Sequence, residues 1–509
     1  MRNSKKMAAV ISYIQIATNM LYSVLFTPFV LRALGQSEYG IYTLCTSVIS
    51  YLSLFQFGFG TTFIRYYIKY NAEGRCKKAE ELSGMFLGIF AMVALVTLAI
   101  GIFFVVKIEM IFGSKITPDE YQLAGTLMKF VVFNAVLSVV GVPFSALVTA
   151  YEKFVFQKLL SLLETGLKIA VLFPLLMSGW KSIALVGVST LLSVITFLAN
   201  LMLVFGRLRI KIRFTHFDSA LFRELGVFSF FVFLQSVMDM FNWQIDRFLL
   251  ARFWGSSSVS VYSVGGRINS VYLSLGTAMT GLFVPRVNQL VAEGRDDSVL
   301  TDLMLRVGRP QFLICTFLLS AFVFFGKPFL KFYAGIGYES AYWVTILLMS
   351  PLVLPLSMDL WYHIARAKGK HKTSTTVFAG VALLNLLVSI PLCRQYGEIG
   401  AAAGTCIGMF AANNIFQIIY AHRVIKLDMK RWAKNIARMS PALILPVVMG
   451  TMIYLFADIR TIPRFLFYAT AYTAVSAVSF WTIALDKGEK DLIIRPLTRI
   501  YRKLLLRRG

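Results

Sequence analysis

Apolar runs of about 20 residues recur along the chain, and their length constrains the fold more than any other feature. A helix of that length crosses a bilayer core with every backbone N–H and C=O bonded inside its own segment. A membrane β-barrel would instead show strictly alternating segments of roughly ten residues, and these runs are continuous. With 57% hydrophobic residues and a mean hydropathy of +0.70, the 509-residue chain reads as an all-α polytopic membrane protein. About fourteen spans are expected, near residues 8–31, 39–63, 83–106, 124–150, 159–179, 183–206, 225–251, 259–285, 310–326, 340–362, 373–392, 399–421, 439–457 and 465–485.

The net charge of +26 could indicate a nucleic-acid partner, and its placement decides against that. With the N-terminus inside, the inner segments hold 37 of the 51 Lys and Arg residues, the outer segments 10 and the spans four. The bias puts both termini in the cytoplasm and assigns the basic loops to anionic membrane lipids. The first apolar run follows Arg2, Lys5 and Lys6; it is too long for a signal peptide, lacks a small-residue cleavage site, and is expected to stay as a span.

Known chemistries are poorly represented. Cys45, Cys76, Cys315, Cys393 and Cys406 contain no CxxC pair, and His216, His363, His371 and His422 lack ligand spacing. There is no GxxxxGK[ST] loop, no HExxH and no credible Ser/His/Asp set. The outer loops are short, which disfavours a glycan polymerase with a large external catalytic loop. The reading is a non-enzyme without a cofactor, whose energy coupling, if any, would use protons or sodium.

The charges inside the spans carry the functional signal. Gln235, Asp239, Asn242 and Asp246 are spaced to form one polar stripe on a helix. Ser263, Arg267, Ser270 and Ser274 repeat the pattern on the next span, across a turn at Gly255 that would bring Asp246 and Arg267 to similar depth as an ion pair. Glu164 and Lys168, four apart, form a helical pair; Lys129 and Asp359 lie near span ends, and Arg65 could reach a cavity mouth. Together with Arg247, eight charged residues fall inside spans, each costing roughly 2.5–3.5 kcal/mol if it faced lipid. They should face a polar cavity or one another.

A shift of 220 residues aligns Gln15 with Gln235, Met20 with Met240, Arg32 with Arg252, Gly35 with Gly255, Ser37 with Ser257 and Tyr42 with Tyr262. A parallel repeat of two six-span blocks explains this. The chain divides into an N-lobe (1–206), a cytoplasmic amphipathic linker (207–224) expected as a surface helix, a C-lobe (225–422), two accessory spans (423–485) and a basic tail (486–509). A secondary transporter or flippase with a mixed-charge cavity between two lobes fits these features.

The stretches FVLRALGQSEYGIYTL, FQFGFGTTFIRYY (Phe55–Tyr67), NWQIDRFLLARFWGSSSVSVYSV and LLNLLVSIPLCRQYGEIGAAAGT (Leu383–Thr405) resemble the polysaccharide exporter branch of the MOP superfamily, the Wzx-type flippases of lipid-linked oligosaccharides. The resemblance implies two six-helix bundles in a V with two further helices. It implies transfer of a glycan on a polyprenyl diphosphate, undecaprenyl by expectation, from the inner to the outer leaflet of a bacterial cytoplasmic membrane. Arg267, Arg247 and Lys168 would then attract the diphosphate, with Asn242 and Gln235 beside them, while Asp239 and Asp246 hold the cations and carry coupling. Glu164 and Asp359 would serve coupling or charge pairing. Glycan polymerases or glycosyltransferases are candidate partners. The competing readings are a cation-coupled drug antiporter, which would want an acid in span one, and a lipid II flippase, which would want more first-lobe arginines.

Overall fold

The computed structural model describes residues 11, 14, 15, 18, 22–54, 59–113, 115–214, 219–370 and 372–490. Helices account for nearly all of them, and no strand occurs among them. Among the described residues eight helices are long and apolar enough to cross a membrane, nine when the bent pair Ala341–Ser357 and Leu360–Ala367 counts as one span. Thr27–Ser53, Ser219–Trp254 and Ser256–Thr277 fall outside that set; they carry the polar stripes and turns noted above. The helices wear much of their apolar surface outside. Met92, Leu95 and Ile102 on Cys76–Val106, and Ile444, Val448 and Leu455 near the C-terminus, are exposed. Such patches are a liability in water and match the surroundings in lipid.

The chain forms two compact units, residues 1–264 with 382–405, and residues 265–381 with 406–509. In the first unit the repeat is visible in the backbone. Gly35 kinks the run Thr27–Ser53 at φ 75°, and its repeat partner Gly255 makes the turn between Ser219–Trp254 and Ser256–Thr277 at φ 87°. Both are left-handed conformations that a side chain would strain. Ser263 Oγ donates to Thr43 Oγ1 at 3.1 Å, and these residues too are 220 apart, so equivalent positions of the two blocks meet.

Loop contacts in this unit sort by the expected alternation of ends. At one end Ser37 and Ser256 both donate to Glu120, Ser182 donates to Glu38, and Trp254 Nε1 donates to the Cys393 carbonyl at 2.8 Å. All of these lie in segments expected outside, or at their edges. At the other end Arg213 pairs with Glu80 at 2.7 Å and the Tyr67 and Tyr151 hydroxyls meet at 3.2 Å. Gly397, at φ 59°, splits the run Lys372–Met409 inside the expected turn between spans eleven and twelve.

The linker departs from expectation. Residues 208–214 are not helical, and the next helix begins at Ser219. Arg207-Leu-Arg-Ile-Lys-Ile-Arg213 alternates basic and apolar residues, and the non-helical chain, turned at Arg209 with φ 49°, lays its apolar residues on the bundle. Ile210 is buried among Phe63, Phe86 and Phe144, with Leu208 and Ile212 packed alongside. The basic alternates remain outside. Of the expected basic tail, 491–509 lies outside the described residues.

The second unit has its core around Trp361, Ile364, Leu300, Met304, Tyr420 and Trp432. Helix Met429–Met439 buries Met429, Trp432, Ile436 and Met439 and leaves Lys430, Lys434 and Arg438 exposed. Arg309 ties this end together. Its guanidinium reaches Glu489 at 2.7 and 3.2 Å, Asp486 at 3.0 Å, Asn435 Oδ1 at 3.1 Å and the Ala484 carbonyl at 2.9 Å. Two expected continuous spans are broken here: span eight between Thr277 and Thr280, span ten between Ser357 and Leu360 with a bend of 53°.

Candidate functional site

The candidate site of the first unit is built around Asp246, which is fully buried on Ser219–Trp254. Tyr262, on the helix after the Gly255 turn, donates its hydroxyl to Asp246 Oδ2. Thr405 donates to the same oxygen at 2.7 Å from the end of the Ala382–Thr405 segment. Oδ1 has no hydrogen-bond partner among the described residues. The carboxylate is therefore held by hydroxyls, not by the expected cation; Arg267 belongs to the second unit.

Arg247, next along the helix, points about 100° further round, as helical pitch requires. Its Nη1 donates to Ser47 Oγ at 2.7 Å and to Gln244 Oε1 at 2.9 Å, while its Nε is buried without a partner. Ser47 in turn donates to the Thr43 carbonyl at 2.7 Å, and Thr43 receives Ser263. Close by in sequence to Thr405, Ser389 donates to Asn385 at 2.9 Å, both fully enclosed. The result is a desolvated cluster with one carboxylate oxygen and one guanidinium N–H still unsatisfied. Such a cluster can take up a proton or a small cation at the oxygen and offer charge-assisted donors at the guanidinium.

The other predicted residues are dispersed. Gln235, Asp239 and Asn242 sit on Ser219–Trp254, and their side chains lie outside the described residues. Arg267 is exposed and makes no hydrogen bond or ion pair among the described residues, while Ser270 and Ser274 spend their hydroxyls on carbonyls one turn back in their own helix. Ser263, expected on that stripe, is buried. Lys168 lies over the Tyr22 ring at 5.8 Å, with Glu164 half-buried one turn earlier. Arg65 and Lys129 are exposed. Asp359 sits at the break in span ten. No group of His, Cys, Asp and Glu able to hold a metal occurs among the described residues.

Sequence reasoning missed Tyr262, Thr405 and Ser47 as partners. Tyr262 was marked only by the repeat, and Thr405 only by the small residues Gly400–Gly404 that let helices approach.

Comparison with known proteins agrees with this architecture. Residues 4–291, more than half of the chain, match the family described as polysaccharide biosynthesis protein. A putative O-antigen transporter of Shigella flexneri is 24% identical over 406 residues, covering 77% of this chain and 92% of the relative. Among solved structures, a lipid II flippase in an inward closed conformation superposes with a TM-score of 0.72 at 16% identity, covering 96% of this chain and 99% of that one. An inward-facing multidrug resistance MATE transporter of the MOP superfamily gives 0.64 at 14% identity, covering 81% and 98%. The two structures share the fold, and the relatives are transporters and flippases. With helices dressed for lipid, a repeated hairpin and a match across more than half its length, the chain is a multi-pass membrane protein that belongs to the polysaccharide biosynthesis protein family.

Proposed function

We propose that the protein is a flippase that moves an undecaprenyl-diphosphate-linked oligosaccharide from the inner to the outer leaflet of a bacterial cytoplasmic membrane, by alternating access, for cell-surface polysaccharide synthesis. The observation that carries this reading is the family match over residues 4–291, joined by the likeness to an O-antigen transporter. Both termini are cytoplasmic in this reading, as the charge bias requires. Arg267 is the leading diphosphate ligand, since an exposed guanidinium without a protein partner among the described residues keeps its donors for an anion. Arg247 and Lys168 support it, and Asn242 and Gln235 offer hydrogen bonds to sugar. Asp246, with Asp239, is assigned to proton or sodium coupling; its unsatisfied Oδ1 supports that role.

The test is native mass spectrometry of the purified protein in nanodiscs with an undecaprenyl diphosphate glycan, lipid II and a cationic drug offered side by side. Retention of the glycan lipid by the wild type and its loss in Arg267→Ala is the expected result. Retention of lipid II alone, or of the drug alone, would replace the proposal with the corresponding flippase or antiporter.

A further inference from the structure

The two repeated hairpins of the first unit are tied together, at the end that the charge bias places outside, by a residue that belongs to neither. Glu120 lies in the first turn of the helix Pro118–Ala150, where it forms a capping box: its Oε2 accepts from the Thr117 backbone N–H at 2.8 Å, and its own N–H donates to Thr117 Oγ1 at 3.4 Å. That cap uses one carboxylate oxygen. The other, Oε1, accepts the hydroxyls of Ser37, two residues past the Gly35 kink, and of Ser256, directly after the Gly255 turn. The two serine oxygens are 3.3 Å apart, so a single acceptor serves one hydroxyl from each block of the repeat.

The helix cap does not require those serines, and what they join is a closed seam. A Cβ on Gly40 would stand 1.9 Å from the Ser256 carbonyl oxygen, one on Gly255 would stand 3.1 Å from the Lys115 carbonyl oxygen, and Ser263 meets Thr43 further in. Backbones this close leave no room for water or ligand between the hairpins. Hydroxyls bound to a carboxylate are charge-assisted and stronger than bonds between neutral groups. Ser256 is buried, whereas Glu120 and Ser37 are half-buried at the edge of the seam. Water can therefore take over the serine bonds when the hairpins part, while Oε2 stays on its cap and keeps the carboxylate in place.

We propose that Glu120 is the clasp of this seam: it holds the outer ends of the two hairpins together, and its two serine bonds are exchanged for water when the seam opens. This rests on the alternating-access reading above and names the residue that sets the balance between its states.

The experiment places a Thr43→Cys reporter in the seam, where Thr43 is buried, in the full-length protein with its native cysteines replaced. A membrane-impermeant maleimide is added to sealed right-side-out membrane vesicles and the labelling rate is measured. Ser37→Ala with Ser256→Ala removes the clasp and leaves the cap. Glu120→Gln weakens the clasp and keeps the cap, since glutamine also serves a capping box. Thr117→Ala weakens the cap and leaves the clasp. Labelling is expected to be about tenfold faster in the double-serine variant, faster in Glu120→Gln as well, and at the parent rate in Thr117→Ala. If the double-serine variant fails to fold, Glu120→Gln decides. Parent rates in the clasp variants overturn the proposal, and so does an equal rise in Thr117→Ala, which would mark only a loosened helix end. A rise confined to inside-out vesicles overturns it too, because the clasp would then face the inner side. Glycan-lipid transfer by the parent is measured separately: its absence beside a faster-labelled clasp variant removes the flippase reading and leaves the clasp.

Discussion

Replacing Arg309 with Ala should destabilise the protein by about 3 kcal/mol, the low end of the range for breaking a buried ion pair. The reasoning runs from exposure and partner count. Arg309 and Glu489 have only 11% and 14% of their side chains exposed and share two hydrogen bonds, at 2.7 and 3.2 Å. Asp486 is 74% exposed, so its contact at 3.0 Å adds little. Truncation strands the Glu489 carboxylate, and also the Asn435 and Ala484 oxygens that the guanidinium served. Removing both charges together, as Arg309→Met with Glu489→Met, should restore stability to within about 1 kcal/mol, because the desolvation cost disappears with the pair. The assay is reversible unfolding in mixed denaturing micelles, read by tryptophan fluorescence, with a double-mutant cycle. A single-mutant loss under about 1 kcal/mol, or a double variant as unstable as the single, would refute a desolvated clamp.

Further outcomes follow from the same geometry. In a background lacking native cysteines, Thr43→Cys with Ser263→Cys should oxidise to a disulfide, since the parent oxygens are 3.1 Å apart; unreactive thiols on gel analysis would contradict the meeting of repeat-equivalent positions. Gly308→Ala should cost about 1–3 kcal/mol by the same unfolding assay, because an added Cβ collides with the Ser357 carbonyl at the bend; an unchanged stability would show that the bend yields freely. Arg213→Ala should cost under about 1 kcal/mol despite a 2.7 Å contact to Glu80, the arginine being 45% exposed; a larger loss would mean that the non-helical linker depends on that pair.

Much of the fold was legible because bilayer physics acts locally. A run of apolar residues must be helical in lipid whatever surrounds it, so the all-helical, membrane-spanning class follows from hydropathy. Gly35 and Gly255 also announced themselves, through a repeat that needs no structure to detect. The linker was misread because its basic residues were weighed by charge, when the period-two alternation of Leu208, Ile210 and Ile212 was the stronger signal.

The sequence by itself thus determined that the chain is helical and membrane-spanning, where its repeated hairpins turn, and that Asp246, Arg247 and Asp359 stand among apolar neighbours. Only the tertiary structure decided what they touch. Thr405 reaches Asp246 across 159 residues, Ser47 reaches Arg247 across 200 and Glu489 reaches Arg309 across 180. Polar side chains in lipid must find partners wherever packing brings them, and packing between helices is set by small residues and bends whose effects are not local. Hydropathy fixes that a partner is required; the arrangement of helices chooses which one.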